Sequence, residues 1–392
     1  MTLPFLPFAL PEIGQEEIDE VVDSMRSGWI TTGPKAARFE KEFAAYIGCT
    51  HAFAVNSATS GLHLALEAIG VGRGDKVVTT PYTFTATSEV IRYLDADPIY
   101  CDVDERTCNL DPDLLEAVVE RAIQEHGTKV KAILPVHFAG QACDMGRILA
   151  IARKHGLRVV EDAAHSLPTT FEGKNIGTIG DVTVFSFYAT KTIATAEGGM
   201  VVTEDAQIAQ RIKIMRLHGF NRDAWDRYNS PKASWYYEIV APGFKYNMPD
   251  MAAAMGLHQL AKCDAFAAKR NAMASRYNDA LKDLEGVKVP HVDRPSDRHA
   301  WHLYALQMDA SWRDGFFEKM KELGIGCSVH FIPLHLQPYW RDRYGFTPDS
   351  FPRALAAFQR ELSLPIYTKM TEADQDRVIE AVRRVHKEVS DA

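Results

Sequence analysis

The sequence predicts an α/β fold: a mostly parallel sheet with helices on both faces, followed by a second, smaller α/β domain. Three observations predict it. From about residue 51, short apolar runs alternate with helical patterns, strand then helix, repeatedly. That alternation is the mark of parallel strands joined by crossover helices. Two apolar runs on either side of residue 190 lie close together with no helix between them, so one antiparallel strand is expected there. Near residue 250 the periodicity changes to one long helical stretch, after which strands and helices resume. The expected domains are 1–250 and 251–392, divided at that helix.

The first helix is read from Ile18, Val21, Val22 and Met25, which fall at i, i+3, i+4 and i+7, and Gly28 ends it. A loop follows, Trp29-Ile30-Thr31-Thr32-Gly33-Pro34. Strands are expected at 52–55, 76–79, 98–103, 130–136, 157–161, 182–187 and 199–203. Leu62, Ala65, Leu66 and Ile69 mark one of the intervening helices. In the second domain the long helix spans 249–284. A strand (302–308), a helix (312–323), a strand (326–331) and two more helices follow. The last helix starts at Thr371, with Asp374 three residues on as in a capping box, and its apolar face is Val378, Val382 and Val385.

Composition narrows the function. A chain of 392 residues buries about three quarters of its unfolded surface and needs no disulfide or metal staple. At 46% hydrophobic and 24% charged, it has an ordinary globular profile. A net charge of -8 without a basic block argues against a nucleic acid or an anionic membrane as partner. The six cysteines are scattered, with no C-x-x-C pair, and read as reduced thiols in a cytoplasm. The first eleven residues lack a basic start and carry Pro4, Pro7 and Pro11, so neither a signal peptide nor a membrane span is expected there.

Ligands of open α/β sheets sit beyond the carboxyl ends of the parallel strands, and three segments place reactive groups there. Asn56-Ser57-Ala58-Thr59-Ser60-Gly61 joins a strand to a helix. It is either a phosphate cradle of free N–H groups and hydroxyls or an ordinary N-cap turn. Glu161-Asp162-Ala163-Ala164-His165 ends the next such strand. Asp162 could keep a pyridine nitrogen protonated, as an electron-sink cofactor requires; otherwise it is a loop cap or a metal ligand, and no further ligands at metal spacing accompany it. Ser186-Phe187-Tyr188-Ala189-Thr190-Lys191 ends a third. A desolvated Lys191 would be a nucleophile and proton carrier, whereas most lysines are surface charges.

Taken together and in this order, these segments resemble the DegT/DnrJ/EryC1/StrS sugar aminotransferases, which have the aspartate-aminotransferase (type I) fold and use pyridoxal 5'-phosphate (PLP). The resemblance runs over nearly the whole chain. It is carried by Gly28 to Pro34, Ser57-Ala58-Thr59, Glu161 to His165, Ser186-Phe187 through Lys191 to Glu197-Gly198-Gly199, and Gly243-Phe244-Lys245-Tyr246-Asn247. It implies that Lys191 carries PLP as an imine and that Asp162 pairs with the pyridinium nitrogen. His165 approaches the phenolic oxygen, where relatives often have Gln. Ser57, Ala58, Thr59 and Ser186 hold the phosphate, and Phe84 stacks on the ring or else fills a core. Asn247 reaches the phosphate of the neighbouring subunit, which implies a homodimer with shared sites.

The segments 27–35, 196–199, 299–303, 324–326 and 330–335 further resemble enzymes that aminate C4 of nucleotide-linked 4-keto sugars. The reaction so implied is ping-pong transfer of an amine from L-glutamate to a UDP-linked keto sugar, with Lys191 moving the proton. Trp29, Thr31, Lys35, Arg222 and Arg227 are expected around the substrate, the three cations facing its diphosphate. No metal is expected. The alternatives are amination at C3, a dehydratase of the same family, in which histidine replaces the lysine, and a non-catalytic regulator.

Overall fold

The structure, a computed structural model, describes residues 4–221 and 236–390. Its main sheet has seven strands: β1 (His51–Val55), β2 (Lys76–Thr79), β3 (Asp97–Tyr100), β4 (Val130–Ile133), β5 (Arg158–Asp162), β8 (Val182–Ser186) and β9 (Gly199–Thr203). A two-stranded ribbon, β6 (Thr170–Phe171) with β7 (Lys174–Asn175), lies between β5 and β8 in sequence. The order across the sheet is β1-β9-β8-β5-β4-β2-β3. β9 runs antiparallel to both of its neighbours, and the other pairings are parallel. Six strands therefore end on one edge of the sheet, and among them are the carboxyl ends of β1, β5 and β8. Every residue of β8 and β9 is buried, as befits strands covered on both faces, and this is why they read as continuous apolar runs.

The first helix, α1 (Gln15–Ser27), ends at Gly28 with φ +77°, a left-handed cap that suits glycine. Its apolar stripe does not face the protein: Ile18 is 48% exposed and Met25 59%. The buried face carries Glu17 and Ser24. Glu17 takes the Lys262 ammonium at 2.7 Å and the Gln259 amide at 2.8 Å, so a buried acid anchors the helix. The long helical stretch is two helices, Asp250–Ala261 and Cys263–Leu281, with a break at Lys262.

The second sheet is β10 (Val287–Lys288), β11 (Tyr304–Met308) and β12 (Glu361–Leu364) in that order, antiparallel throughout. The strand expected at 326–331 is not one: only isolated bridges join Ile325 to Leu6 and Ser328 to Ser363. The Gly324 carbonyl and Gly326 N–H are taken by Leu6 of the N-terminal segment, each at 2.8 Å. β12 supplies the third strand instead. After the helix Ala310–Glu322 the described residues form three α-helices rather than two, Pro338–Tyr344, Pro352–Arg360 and Glu372–Ser390. The last starts on the Thr371–Asp374 box and buries Val378, Val382 and Val385. This sheet has its own core, including Tyr277, Leu306, Phe316 and Val382, and Leu6 packs into it.

Candidate active site

The ends of β1, β5 and β8 bring together residues far apart in sequence. After β1, the helix Ala58–Ala68 starts on Ser57, whose Oγ accepts the Ser60 N–H at 3.1 Å. The first-turn N–H groups of Ala58 and Thr59 have no partner within the helix. Gly199, opposite Ser186 in the β8–β9 register, lies against this turn. A Cβ there would come within 2.8 Å of the Ala58 nitrogen, so only glycine lets β9 pass so close to the helix start. The result is a small cradle with N–H groups, hydroxyls and a helix N-terminus.

Asp162 ends β5 at 5% exposure. Thr87 donates its hydroxyl to Oδ2 at 2.8 Å, and the Ala164 N–H donates to Oδ1 at 3.1 Å. Thr87 in turn meets the Thr83 hydroxyl at 2.7 Å. Burial pushes the Asp162 carboxyl above its usual range, against the pull of Thr87, Ala164 and the Lys191 charge. Strand alternation turns the preceding residue to the opposite face. There Glu161 accepts from Gly180 N–H and the Thr183 hydroxyl, each at 2.7 Å, and from His137 Nε2 at 2.9 Å. The Cys143 N–H donates to His137 Nδ1 at 3.0 Å, so Nε2 carries the hydrogen facing Glu161. This buried net fixes the strand end that presents Asp162.

Lys191 lies on the turn after β8, its N–H bonded to the Tyr188 carbonyl at 2.8 Å. Burial lowers its amine from 10.5 to about 8, and the Asp162 charge opposes this. Nζ lies 3.4 Å from His302 Nε2. The ring of His165 is 4.3 Å from that of His302 and stacks on Phe331 at 5.9 Å. Burial first, then the Lys191 charge, keeps both histidines well below their ordinary values. His330 is lowered to about 4 for the same reasons, and its Nδ1 is 2.9 Å from the Ser363 hydroxyl. His335 is structural: it is buried, and its Nε2 meets the Pro348 carbonyl at 3.2 Å.

The remaining predicted residues fall as follows. Phe84 is 61% exposed, 6.4 Å from the Phe331 ring. Asn247 bridges Val55 through its backbone, and its side-chain amide donates to Thr32. Its Oδ1 is buried without a partner. Trp29 donates its indole N–H to the Thr32 carbonyl at 3.2 Å, and the Thr31 carbonyl accepts from Asp250 N–H at 3.0 Å. Asp250 returns its carboxylate to the N–H groups of Gly33, Lys35 and Ala36, which fastens the loop to Asn247–Asp250. The Lys35 ammonium sits between Glu20 at 2.9 Å and Asp23 at 2.8 Å on α1. Arg222 and Arg227 lie outside the described residues.

Sequence reasoning missed Thr87 and His302. Thr87 is one of several threonines in a helical start and carries no distinguishing pattern; His302, flanked by Ala300, Trp301 and Leu303, did carry one, a polar ring inside an apolar run. A cavity of about 430 Å³ lined by Cys108, Phe138, Lys288, Gln307 and Glu361 among others contains neither Lys191 nor Asp162; the site is defined by its buried groups. Glu116, Glu120 and His155 approach one another closely enough for a metal, but the Lys154 ammonium occupies both carboxylates at 2.6 and 3.1 Å. No helix among the described residues is long and apolar enough to cross a membrane.

These residues fit PLP. The cradle that a Cβ on Gly199 would fill suits its phosphate, the buried Asp162 suits a cationic ring nitrogen, and the lowered amine of Lys191 suits its aldehyde. The unpaired buried Nδ1 of His165 offers a polar contact to the ring's oxygen. Comparisons agree. Spore coat polysaccharide biosynthesis protein SpsC of Bacillus subtilis is 49% identical over 388 residues, covering 98% of this chain and 97% of SpsC. Spr1654 of Streptococcus pneumoniae, 32% identical, superposes with TM-scores of 0.90 in its PMP form and 0.89 in its PLP form, each covering 98% of this chain and 99% or more of its own. PseC of Helicobacter pylori, an aminotransferase involved in the biosynthesis of pseudoaminic acid, superposes with a TM-score of 0.88 at 25% identity, covering 98% of this chain and all of its own. The model of the DegT/DnrJ/EryC1/StrS aminotransferase family matches residues 11–383, and the chain belongs to that family.

Proposed function

We propose that this aminotransferase holds PLP on Lys191 and moves the amino group of L-glutamate to the C4 ketone of a nucleotide-linked, UDP-bearing keto sugar. The observation that carries the reading is the convergence of Lys191, Asp162 and the Ser57–Thr59 turn at the ends of three parallel strands. PLP, when bound, supplies an aldehyde that exchanges amines and a ring that draws electrons from the substrate carbon. The chain supplies the rest. Asp162, with one oxygen held by Thr87 and the other by Ala164 N–H, presents a fixed carboxylate to the ring nitrogen. Ala58 and Thr59 N–H groups, with the hydroxyls of Ser57, Thr59 and Ser186, would hold the phosphate at the positive end of a helix. Phe84 would cover the ring, and His165 would offer its Nδ1 to the ring's oxygen.

Lys191 moves the proton. At about 8 its amine is poised near working pH, where a group both accepts and returns a proton readily. Buried Asp162 and the buried rings of His165 and His302 lie beside that amine. The outward apolar stripe of α1 and the exposed Ile30 suit a second copy of the chain, with Asn247, Trp29 and Thr31 serving the partner's site in a homodimer. The C4 assignment is supported by the likeness of 299–303 and 330–335 to C4-aminating enzymes, and a sugar substrate by the likeness to the spore coat polysaccharide biosynthesis protein SpsC and the putative sugar aminotransferase Spr1654.

The test is direct. The enzyme is converted to its pyridoxamine form with glutamate, and UDP-4-keto-hexoses, a UDP-4-keto-pentose and a 3-keto sugar nucleotide are added separately. Return of the PLP spectrum with a 4-keto sugar nucleotide is expected. Return only with the 3-keto compound contradicts the C4 assignment and leaves the transamination intact.

A further inference from the structure

One side chain in contact with the Lys191 amine has no task in the reaction described above. His302 Nε2 lies 3.4 Å from Lys191 Nζ. The imidazole is 6% exposed, and its Nδ1 is buried without a hydrogen-bond partner. A buried polar atom left unpaired destabilises a fold unless something offsets it. The residue before it adds a second cost, since Trp301 has φ +47°, a left-handed conformation that bulky residues rarely adopt.

The segment is held there from several sides. Buried Arg270 donates to the carbonyls of Trp301 at 3.0 Å and Ile366 at 2.8 Å. The Trp301 indole N–H donates to Asn271 at 3.1 Å. Ala300 and Leu303 N–H groups donate to the carbonyls of Gly140 at 3.1 Å and Ala139 at 3.3 Å. Strain sustained by this many contacts belongs to positions where the surroundings fix a side chain for use. The side chain so fixed is the ring that meets the lysine.

We propose that His302 is a positioning residue for Lys191, its Nε2 accepting a hydrogen bond from the lysine amine whenever that amine is free and holding it oriented for attack and for proton return. The inference rests on the assignment of Lys191 given above. The groups facing the amine are Asp162, whose charge favours the ammonium, and His165, His302 and His330, all lowered by burial. His302 therefore acts as a neutral acceptor and not as a countercharge, which places its hydrogen on Nδ1.

The test follows covalent capture rather than turnover. Full-length protein stripped of cofactor is mixed with PLP in a stopped-flow instrument from about pH 6 to about pH 10, a range that spans a lysine at about 8. Wild type should show a capture rate rising to a plateau with a midpoint near pH 8. His302→Leu removes the acceptor, so its plateau should fall about five- to tenfold, the worth of one hydrogen bond. Its midpoint should move down, because the ammonium has lost a partner. His302→Gln places an amide oxygen near the lost Nε2 and should restore both, to within about threefold. Circular dichroism of the stripped proteins checks that each is folded.

A wild-type plateau and midpoint in His302→Leu overturns the proposal, as do equal losses in folded Leu and Gln variants. Peptide mapping of the captured wild type separates the two levels. PLP on another lysine overturns the Lys191 assignment itself, whereas PLP on Lys191 with an unaffected His302→Leu overturns the His302 role alone.

Discussion

Replacing Lys191 by Met should abolish a pH dependence of folding that the structure builds in. In the cofactor-free protein the Lys191 amine titrates at about 8 instead of 10.5. The unfolded chain therefore binds this proton more tightly than the folded one between those values. Stability contributed by this group rises as pH climbs from about 8 to 10.5 and is lowest below 8. At about 1.4 kcal/mol for each tenfold change in proton affinity, the difference amounts to about 3 kcal/mol. Lys191 keeps part of its surface in water, which screens the effect, so about 3 kcal/mol is an upper figure. The assay is urea unfolding of stripped wild type and Lys191→Met at a series of pH values. Subtracting the two curves removes the common titration of other lysines and tyrosines. The wild type should gain about 1–3 kcal/mol relative to the variant across this window. Parallel curves, with no gain, refute the argument that Lys191 is held desolvated.

Three further outcomes follow from the same geometry. Asp162→Asn keeps the size and its two hydrogen-bonding neighbours but loses the charge, so turnover should fall at least about a hundredfold while PLP binding, followed by fluorescence, weakens less; near-normal turnover contradicts its role. Glu361 is 1% exposed, and burial raises its carboxyl to about 8, so its folded form holds a proton that the unfolded chain releases above about 4.5. Stability should fall as pH rises through that interval, by about 2–4 kcal/mol, and Glu361→Gln should flatten the curve; an unchanged slope in unfolding titrations counts against it. Mixed dimers of a Lys191→Ala chain with a chain inactivated at Asn247 should regain activity, since one site in each would have both residues intact. No recovery in verified heterodimers rules out the shared site.

The parallel sheet is legible because buried strands leave short apolar runs, and the run at 76–79 coincides with β2. β12 is not, because Glu361 and Ser363 alternate with Leu362 and Leu364 in a strand whose polar residues are buried and hydrogen-bonded to each other and to His330. Periodicity placed α1 but not its facing: a stripe at helical spacing reports an apolar surface, not what covers it, and here Glu17 faces inward on Lys262. Lys35 shows the matching limit for charges, since its partners Glu20 and Asp23 lie on the preceding helix and only the fold brings them together. Asp162 and Lys191 are legible because strand ends and short motifs carry them. Thr87 reaches Asp162 from the helix Ala86–Tyr93, and His302 reaches Lys191 from the segment before β11; the polar ring of His302 stands out in its apolar run, but no local pattern says which distant group it meets.

The most direct test is to reduce the PLP-bound enzyme with borohydride and map the label by peptide mass spectrometry. The account predicts a pyridoxyl group on the peptide containing Lys191, lost in Lys191→Ala although that variant still binds PLP. Label on any other lysine, or none in a protein saturated with PLP, contradicts it.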